Sequence, residues 1–332
     1  MERYGTCLAF ILLFAVVPCP SASAPAPEPA AEHTLGAGSS LSVEDRARPF
    51  LTSPDGAFSC GFQEAGENAF SFSVWYTGAA EKTAVWTANP GAPVNGRGSR
   101  ISFRRDGGLA LDDANGTTVW ESKTSGGGGG GAVTISLLDT GNLVITGPST
   151  GTGGRAVWQS FDWPTDTLLP SQPLTKHMKL VAGYFSLYYD NDNVLRLLYD
   201  GPEISSIYWP NPGNNPFDNG RTTYNSSRIG VLDGNGAFLS SDNLGVNASD
   251  LGRPGVKRRL TIDPDGNVRI YSLNASTGGW TVTRAALAQP CSVHGLCGPN
   301  AVCEYQPSLQ LSNGPSPARP STIRSGTISP DN

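Results

Sequence analysis

The sequence is poor in the residues that enzymes and nucleic-acid binders rely on. Its 332 residues include two methionines and three histidines, and charged residues make up 15%, against a usual value of about 25%. A formal net charge of −5 offers no basic surface to a phosphate backbone, so nucleic acid is excluded as a partner. His33, His177 and His294 lie far apart, without the spacing of metal ligands or of a nucleophile–base pair. Neither a Gly-x-Ser-x-Gly elbow nor any kinase signature element occurs. No catalytic residue, metal or cofactor is assigned. The longest apolar run, Cys7 to Val17, falls short of the about 20 residues that cross a bilayer.

What is present points to a secreted, turn-rich β protein. Arg3, the short apolar run and the small residues Ser21 to Ala24 have the order of a secretory signal peptide, residues 1–24. The chain has 41 glycines and 26 prolines, with seven tryptophans, ten tyrosines and twelve phenylalanines. That balance suits short strands and tight turns better than helices. Past the leader stand Cys60, Cys291, Cys297 and Cys303. In an oxidising compartment these are disulfide candidates, with three pairings open. Asn115, Asn225, Asn247 and Asn274 each open an Asn-x-Ser/Thr sequon and are candidate glycan sites on exposed turns.

The first half repeats itself. Val85-Trp86, Val119-Trp120 and Val157-Trp158 recur at spacings of 34 and 38 residues, each after an alternating stretch and a turn. Three similar β units predict pseudo-threefold packing, with Trp86, Trp120 and Trp158 meeting in the core. Two further strings stand out: Leu138-Asp139-Thr140-Gly141-Asn142-Leu143-Val144, and Trp158-Gln159-Ser160-Phe161-Asp162-Trp163-Pro164-Thr165-Asp166-Thr167-Leu168-Leu169-Pro170. With these strings the stretch from about Thr34 to Phe161 resembles the bulb-type, mannose-binding lectin domain. Residues 34–306 together resemble the ectodomains of plant S-domain receptor-like serine/threonine kinases and S-locus glycoproteins. The resemblance implies an all-β fold. A bulb-lectin β-prism of three four-stranded sheets (34–161) would precede a second β domain like that of S-locus glycoproteins (162–286).

Bulb lectins carry a Gln-x-Asp-x-Asn-x-Val-x-Tyr motif once per repeat. Its residues project from one strand face toward sugar hydroxyls, with Val against the ring carbons. Here the five positions read Asn68, Phe70, Phe72, Val74 and Tyr76 in the first repeat, and Arg104, Asp106, Gly108, Ala110 and Asp112 in the second. In the third they read Leu138, Thr140, Asn142, Val144 and Thr146. The resemblance therefore leaves Val74, Tyr76, Asp106, Asn142 and Val144 as candidate sugar-binding residues, with no repeat intact. Each missing hydrogen bond removes roughly 0.5–1.5 kcal/mol, which argues against tight mannose binding. A further match at Asp265, Asn267 and Tyr271 reads as a turn between strands.

In the second half, alternation from Leu180 to Trp209 and a hairpin from Arg259 to Tyr271 across Asp265-Gly266-Asn267 predict more strands. Cys291, Cys297 and Cys303 stand five residues apart, like the opening of an EGF-like module (287–306), here without its other cysteines. The Ser-, Pro- and Gly-rich segment 307–332 reads as a disordered tail. The family continues into more cysteines, a membrane span and usually a kinase, so the sequence reads as one cut short. The Gly126–Gly131 run precedes a strand and no helix, so it is a loop and no phosphate cradle. Asp190 to Asn193 lack the glycine and glutamate of a calcium loop.

The resemblance implies a secreted or cell-surface recognition module, non-catalytic as given. Its partner would be an extracellular glycan, peptide or protein, in a family whose roles include recognition of pollen. Such ectodomains also pair with themselves or with other receptor-like kinases. Two alternatives stay open: a mannose-binding defence lectin using Asn142 and Val144, or a fragment of an active receptor kinase.

Overall fold

In the computed structural model, residues 32–124, 134–147 and 154–296 are described. The signal peptide (1–24), the glycine run, Cys297, Cys303 and the 307–332 tail lie outside them. Within the described residues the regular structure is strand, with three single 3-10 turns at Val43–Asp45, Ser160–Asp162 and Pro290–Ser292.

Three short strands open the first prism: β1 (Thr34–Gly36), β2 (Ser40–Ser42) and β3 (Leu51–Thr52). Three antiparallel units follow. The first is β4 (Phe58–Gly66), β5 (Ala69–Tyr76) and β6 (Ala84–Thr87), with the two-residue β7 (Val94–Asn95) pairing back on β5. The second is β8 (Arg100–Phe103), β9 (Leu109–Asp112) and β10 (Thr118–Glu121), and the third β11 (Thr134–Leu137), β12 (Leu143–Gly147) and β13 (Arg155–Gln159). The opening strands are dealt out in reverse order. β3 joins the first unit, β2 the second and β1 the third, giving three sheets around one core.

The second prism repeats this nesting. Its opening strands are β14 (Thr167–Leu168), β15 (Pro173–Thr175) and β16 (Lys179–Ala182). They are followed by β17 (Phe185–Tyr189), β18 (Leu195–Asp200), β19 (Ser205–Trp209), β20 (Ile229–Leu232), β21 (Ala237–Ser240) and β22 (Gly245–Asn247), then β23 (Arg258–Ile262), β24 (Val268–Leu273) and β25 (Trp280–Ala285). β16 completes the first sheet, β15 the second and β14 the third.

Period-two alternation explains the two cores. Phe72, Val74, Ile101, Phe103, Leu109, Leu111, Leu143 and Ile145 point into the first, and Leu187, Leu195, Leu197, Phe238, Leu260 and Ile270 into the second. The last strand of each unit in the first prism carries a β-bulge. Trp86 pairs with Val74 and Ala84 with Trp75, which skips Val85. Val119 and Val157 are skipped in the same way. The repeated Val-Trp pair is thus a bulged valine that re-aims the following tryptophan. The three indoles meet edge to face, with centroids 5.7–5.8 Å apart and planes at 70–73°, a favoured aromatic geometry. Trp86 and Trp158 are buried, while Trp120 is half-buried against the core.

The prisms are joined by specific contacts. The Tyr76 hydroxyl donates to the Arg258 carbonyl at 2.7 Å and the Trp280 Nε1–H to Thr83 Oγ1 at 2.9 Å. The Tyr76 and Trp280 rings pack at 5.1 Å, and the Arg259 guanidinium lies 4.8 Å from the Trp280 ring. Gly278 (φ +67°) sits so close to the Ala80 backbone that a Cβ there would meet its nitrogen at 2.8 Å. No side chain fits at that approach.

One cysteine expectation is corrected. Cys60 is a free thiol, wholly buried at an inward position of β4 opposite Val74. It packs as a small apolar residue and no disulfide partner reaches it. Cys291 is disulfide-bonded.

Candidate functional site

The three motif-bearing strands are β5, β9 and β12, and their register decides which side chains could meet a sugar. Val74, Leu111 and Ile145 are equivalent, because each lies opposite the bulge tryptophan of its unit. The residues matching the motif's outward valine are therefore Ser73, Ala110 and Val144. In the first repeat the sequence alignment is out by one, and one residue on a strand exchanges the two faces. Val74 and Tyr76 are 0% and 2% exposed, lie in the core with Phe70 and Phe72, and cannot be sugar ligands. Tyr76 serves the contact between prisms instead. On the opposite face Ser73 Oγ bonds Thr87 Oγ1 at 3.0 Å, and the Lys82 ammonium lies 5.2 Å from the Trp75 ring.

In the second repeat Asp106 is exposed, but its carboxylate accepts the Gly108 N–H at 2.9 Å and shapes the turn into β9. Arg104 and Asp112, the first and fifth motif positions, pair with each other at 3.0 Å. Asp112 also accepts the Thr118 hydroxyl at 2.6 Å. The outer face of this sheet is thereby bridged by its own side chains.

The third repeat keeps Asn142 and Val144 on one face, yet Asn142 is only 7% exposed. Its Nδ2 donates to Gln159 Oε1 at 2.9 Å, and its Oδ1 accepts from Ser160 Oγ and the Phe161 N–H, both at 3.2 Å. The amide pins the 3-10 turn that leads out of the first prism. Asn267 does the equivalent work in the second prism, exchanging hydrogen bonds of 2.7 and 3.0 Å with the Leu287 backbone. Beside it Arg269 pairs with Asp263 at 2.5 Å and Asp265 at 2.6 Å. Tyr271 donates to Asp263 at 2.7 Å. Asp106 thus lies in the turn between β8 and β9 of the second unit, while Asn142 and Val144 stand at the start of β12 in the third. Asn115, Asn225, Asn247 and Asn274 are all exposed. Among the described residues no cluster of His, Cys, Asp and Glu could hold a metal ion.

The profile of the D-mannose binding lectin family matches residues 83–183. Over 296 residues the chain is 44% identical to the putative receptor protein kinase ZmPK1 of Zea mays, covering 85% of this chain and 35% of that protein. Along most of its length the chain is similar to the G-type lectin S-receptor-like kinases. A second member, the G-type lectin S-receptor-like serine/threonine-protein kinase At5g24080 of Arabidopsis thaliana, is 31% identical over 310 residues, with coverage of 82% and 34%. The chain spans about a third of the length of these G-type lectin relatives. Among solved structures it is similar to the mannose-specific agglutinin of snowdrop (Galanthus nivalis) bulbs in complex with methyl-α-D-mannoside. That likeness has 24% identity and a TM-score of 0.28, over 37% of this chain and 100% of that one. The two-domain lectin of Scilla campanulata matches at 20% identity and a TM-score of 0.24, over 76% and 95%. The family's bulb-lectin β-prism is present here as the sheet nesting described above.

One site residue gave no motif signal. Trp163, within the junction string, is 64% exposed, and its carbonyl accepts the Trp86 Nε1–H at 2.9 Å. An aromatic placed directly after a buried turn, and followed by proline, was the available clue.

Proposed function

We propose that this chain is an extracellular recognition module that binds carbohydrate through a surface other than the inherited mannose motif. The carrying observation is that the prism scaffold is kept while the polar groups at the motif positions bond to the protein itself. Asn142 holds the exit turn, and Arg104 is paired with Asp112. A pyranose would have to break these bonds, each worth about 0.5–1.5 kcal/mol and more where a charge is involved. The same bonds count against the mannose-lectin alternative. Names such as receptor protein kinase and G-type lectin S-receptor-like kinase among the relatives support a role as the ligand-facing part of a receptor. Exposure of all four sequons and the Cys291 disulfide support passage through the secretory pathway. There the four asparagines would carry glycans and face away from both cores.

The test is to express the chain with its leader, follow the mobility change on deglycosylation, and screen the purified product on an array of plant and microbial glycans. Retention on a defined glycan class, with no mannose dependence, is expected. Absence of binding to every glycan would overturn the carbohydrate reading. Mannose binding abolished by Asn142→Ala would restore the motif.

A further inference from the structure

Over the tryptophan triad the first prism opens into a cleft of about 500 Å³, within the range of small-ligand sites at about 300–1,000 Å³. Trp120, Trp158 and Trp163 line it, with the exposed Thr118, Glu121 and Lys123 as its rim. Trp163 is the unusual member, because an indole left 64% exposed gives up the burial that normally holds a tryptophan in place. Its backbone is nevertheless fixed on both sides. The N–H donates to the Ser160 carbonyl at 3.0 Å, and the carbonyl accepts from Trp86 at 2.9 Å. The backbone that carries the ring is therefore fixed beside the triad.

We infer that this cleft is a carbohydrate subsite in which Trp163 stacks on a pyranose ring, and this rests on the carbohydrate reading above. An indole face meets the C–H face of a sugar best when the ring hydroxyls are equatorial, because no axial oxygen then stands between the two surfaces. Those equatorial hydroxyls project outward around the ring, toward the rim. There the exposed Glu121 carboxylate accepts, the exposed Lys123 ammonium donates, and the exposed Thr118 lies close by. Both charges lie on one short segment next to the indoles, which suits a neutral, hydroxyl-rich ligand better than an ionic one. The class is a β-gluco-configured oligosaccharide. The site uses none of the motif strands' Asp106, Asn142 or Val144.

The experiment is a calorimetric titration of the purified chain with cellohexaose, with maltohexaose as the control of different linkage. Wild type, Trp163→Ala and Glu121→Gln are compared, and the same three proteins are run on the glycan array. Both changed residues are exposed, so melting should not move, and circular dichroism checks this. Cellohexaose binding is expected to weaken at least about tenfold in Trp163→Ala, as for other tryptophan anchors, and by a smaller factor in Glu121→Gln. Glycan binding by wild type that Trp163→Ala leaves unchanged would overturn the cleft while the carbohydrate reading stands. Failure of wild type to bind any glycan, in titration or on the array, would overturn that reading and the cleft with it.

Discussion

Replacing Tyr76 by phenylalanine separates a structural residue from a sugar ligand. The Tyr76 hydroxyl is buried between the prisms and donates to the Arg258 carbonyl at 2.7 Å. β14 covers that edge of β23 only at Leu260 and Thr261, so the Arg258 carbonyl relies on Tyr76. Phenylalanine keeps the ring contacts with Phe58 at 4.5 Å and Trp280 at 5.1 Å and removes only the hydrogen bond. The cost is that of a stranded buried acceptor, about 1–3 kcal/mol. For a protein of this size each kcal/mol moves the midpoint by roughly 2–4 °C, so melting should fall by about 2–12 °C. Scanning calorimetry on both proteins reads the shift, and urea unfolding provides the free energy independently. A midpoint within about 1 °C of wild type would refute the reasoning from this contact. Loss of glycan binding without loss of stability would return Tyr76 to the list of ligands.

Three further outcomes follow from the same geometry. Trp158→Ala removes a buried indole and should cost about 3–5 kcal/mol, whereas Trp120→Ala, at a half-buried position, should cost less; equal losses in chemical denaturation would contradict the asymmetry of the triad. Burial pushes the Tyr189 phenol up to about 12, and burial with a hydrogen bond to Asp263 does the same for Tyr271. The unfolded value is about 10, so the stability tied to the neutral phenols is complete below that pH and is lost as pH rises toward 12; phenolate absorbance during alkaline titration checks this, and ionisation of both near 10 in the folded protein would contradict it. Burial also raises the Cys60 thiol well above its ordinary value, so an aromatic disulfide reagent should modify Cys60 only after unfolding, and labelling of the native protein followed by peptide mapping tests it.

The architecture was legible where chemistry repeats. Three Val-Trp pairs with a turn before each define three β units, and the indole triad is their geometric outcome. The face of β5 was not legible, because Ala69 to Tyr76 mixes aromatics and serines in a way that fits either register, and a valine two residues before a tyrosine mimicked the motif. Phe70 and Phe72 side by side with Val74 marked a core stripe, and pairing Val74 with Trp86, as Ile145 with Trp158, would have set the frame. Cys60 misled for a related reason. Counting cysteines in a secreted chain says nothing about which strand face each occupies, and Cys60 shares the inward face of its sheet with Phe62 and Val74. Asn142 kept the identity of a ligand while its hydrogen bonds went to Gln159, Ser160 and Phe161, contacts 17 to 19 residues away in sequence. Only the folded geometry records where those bonds go.

At the motif positions the polar side chains now hold the protein's own turns and strands, and Asn142 offers the sharpest test of this. Calorimetric titration of wild type and Asn142→Ala with methyl-α-mannoside should be run alongside their melting curves. Neither protein should show saturable mannoside binding, and the variant should lose about 1–3 kcal/mol of stability as the Phe161 N–H and Ser160 hydroxyl lose their acceptor. Saturable binding to wild type that disappears in Asn142→Ala, with melting unchanged, would contradict it.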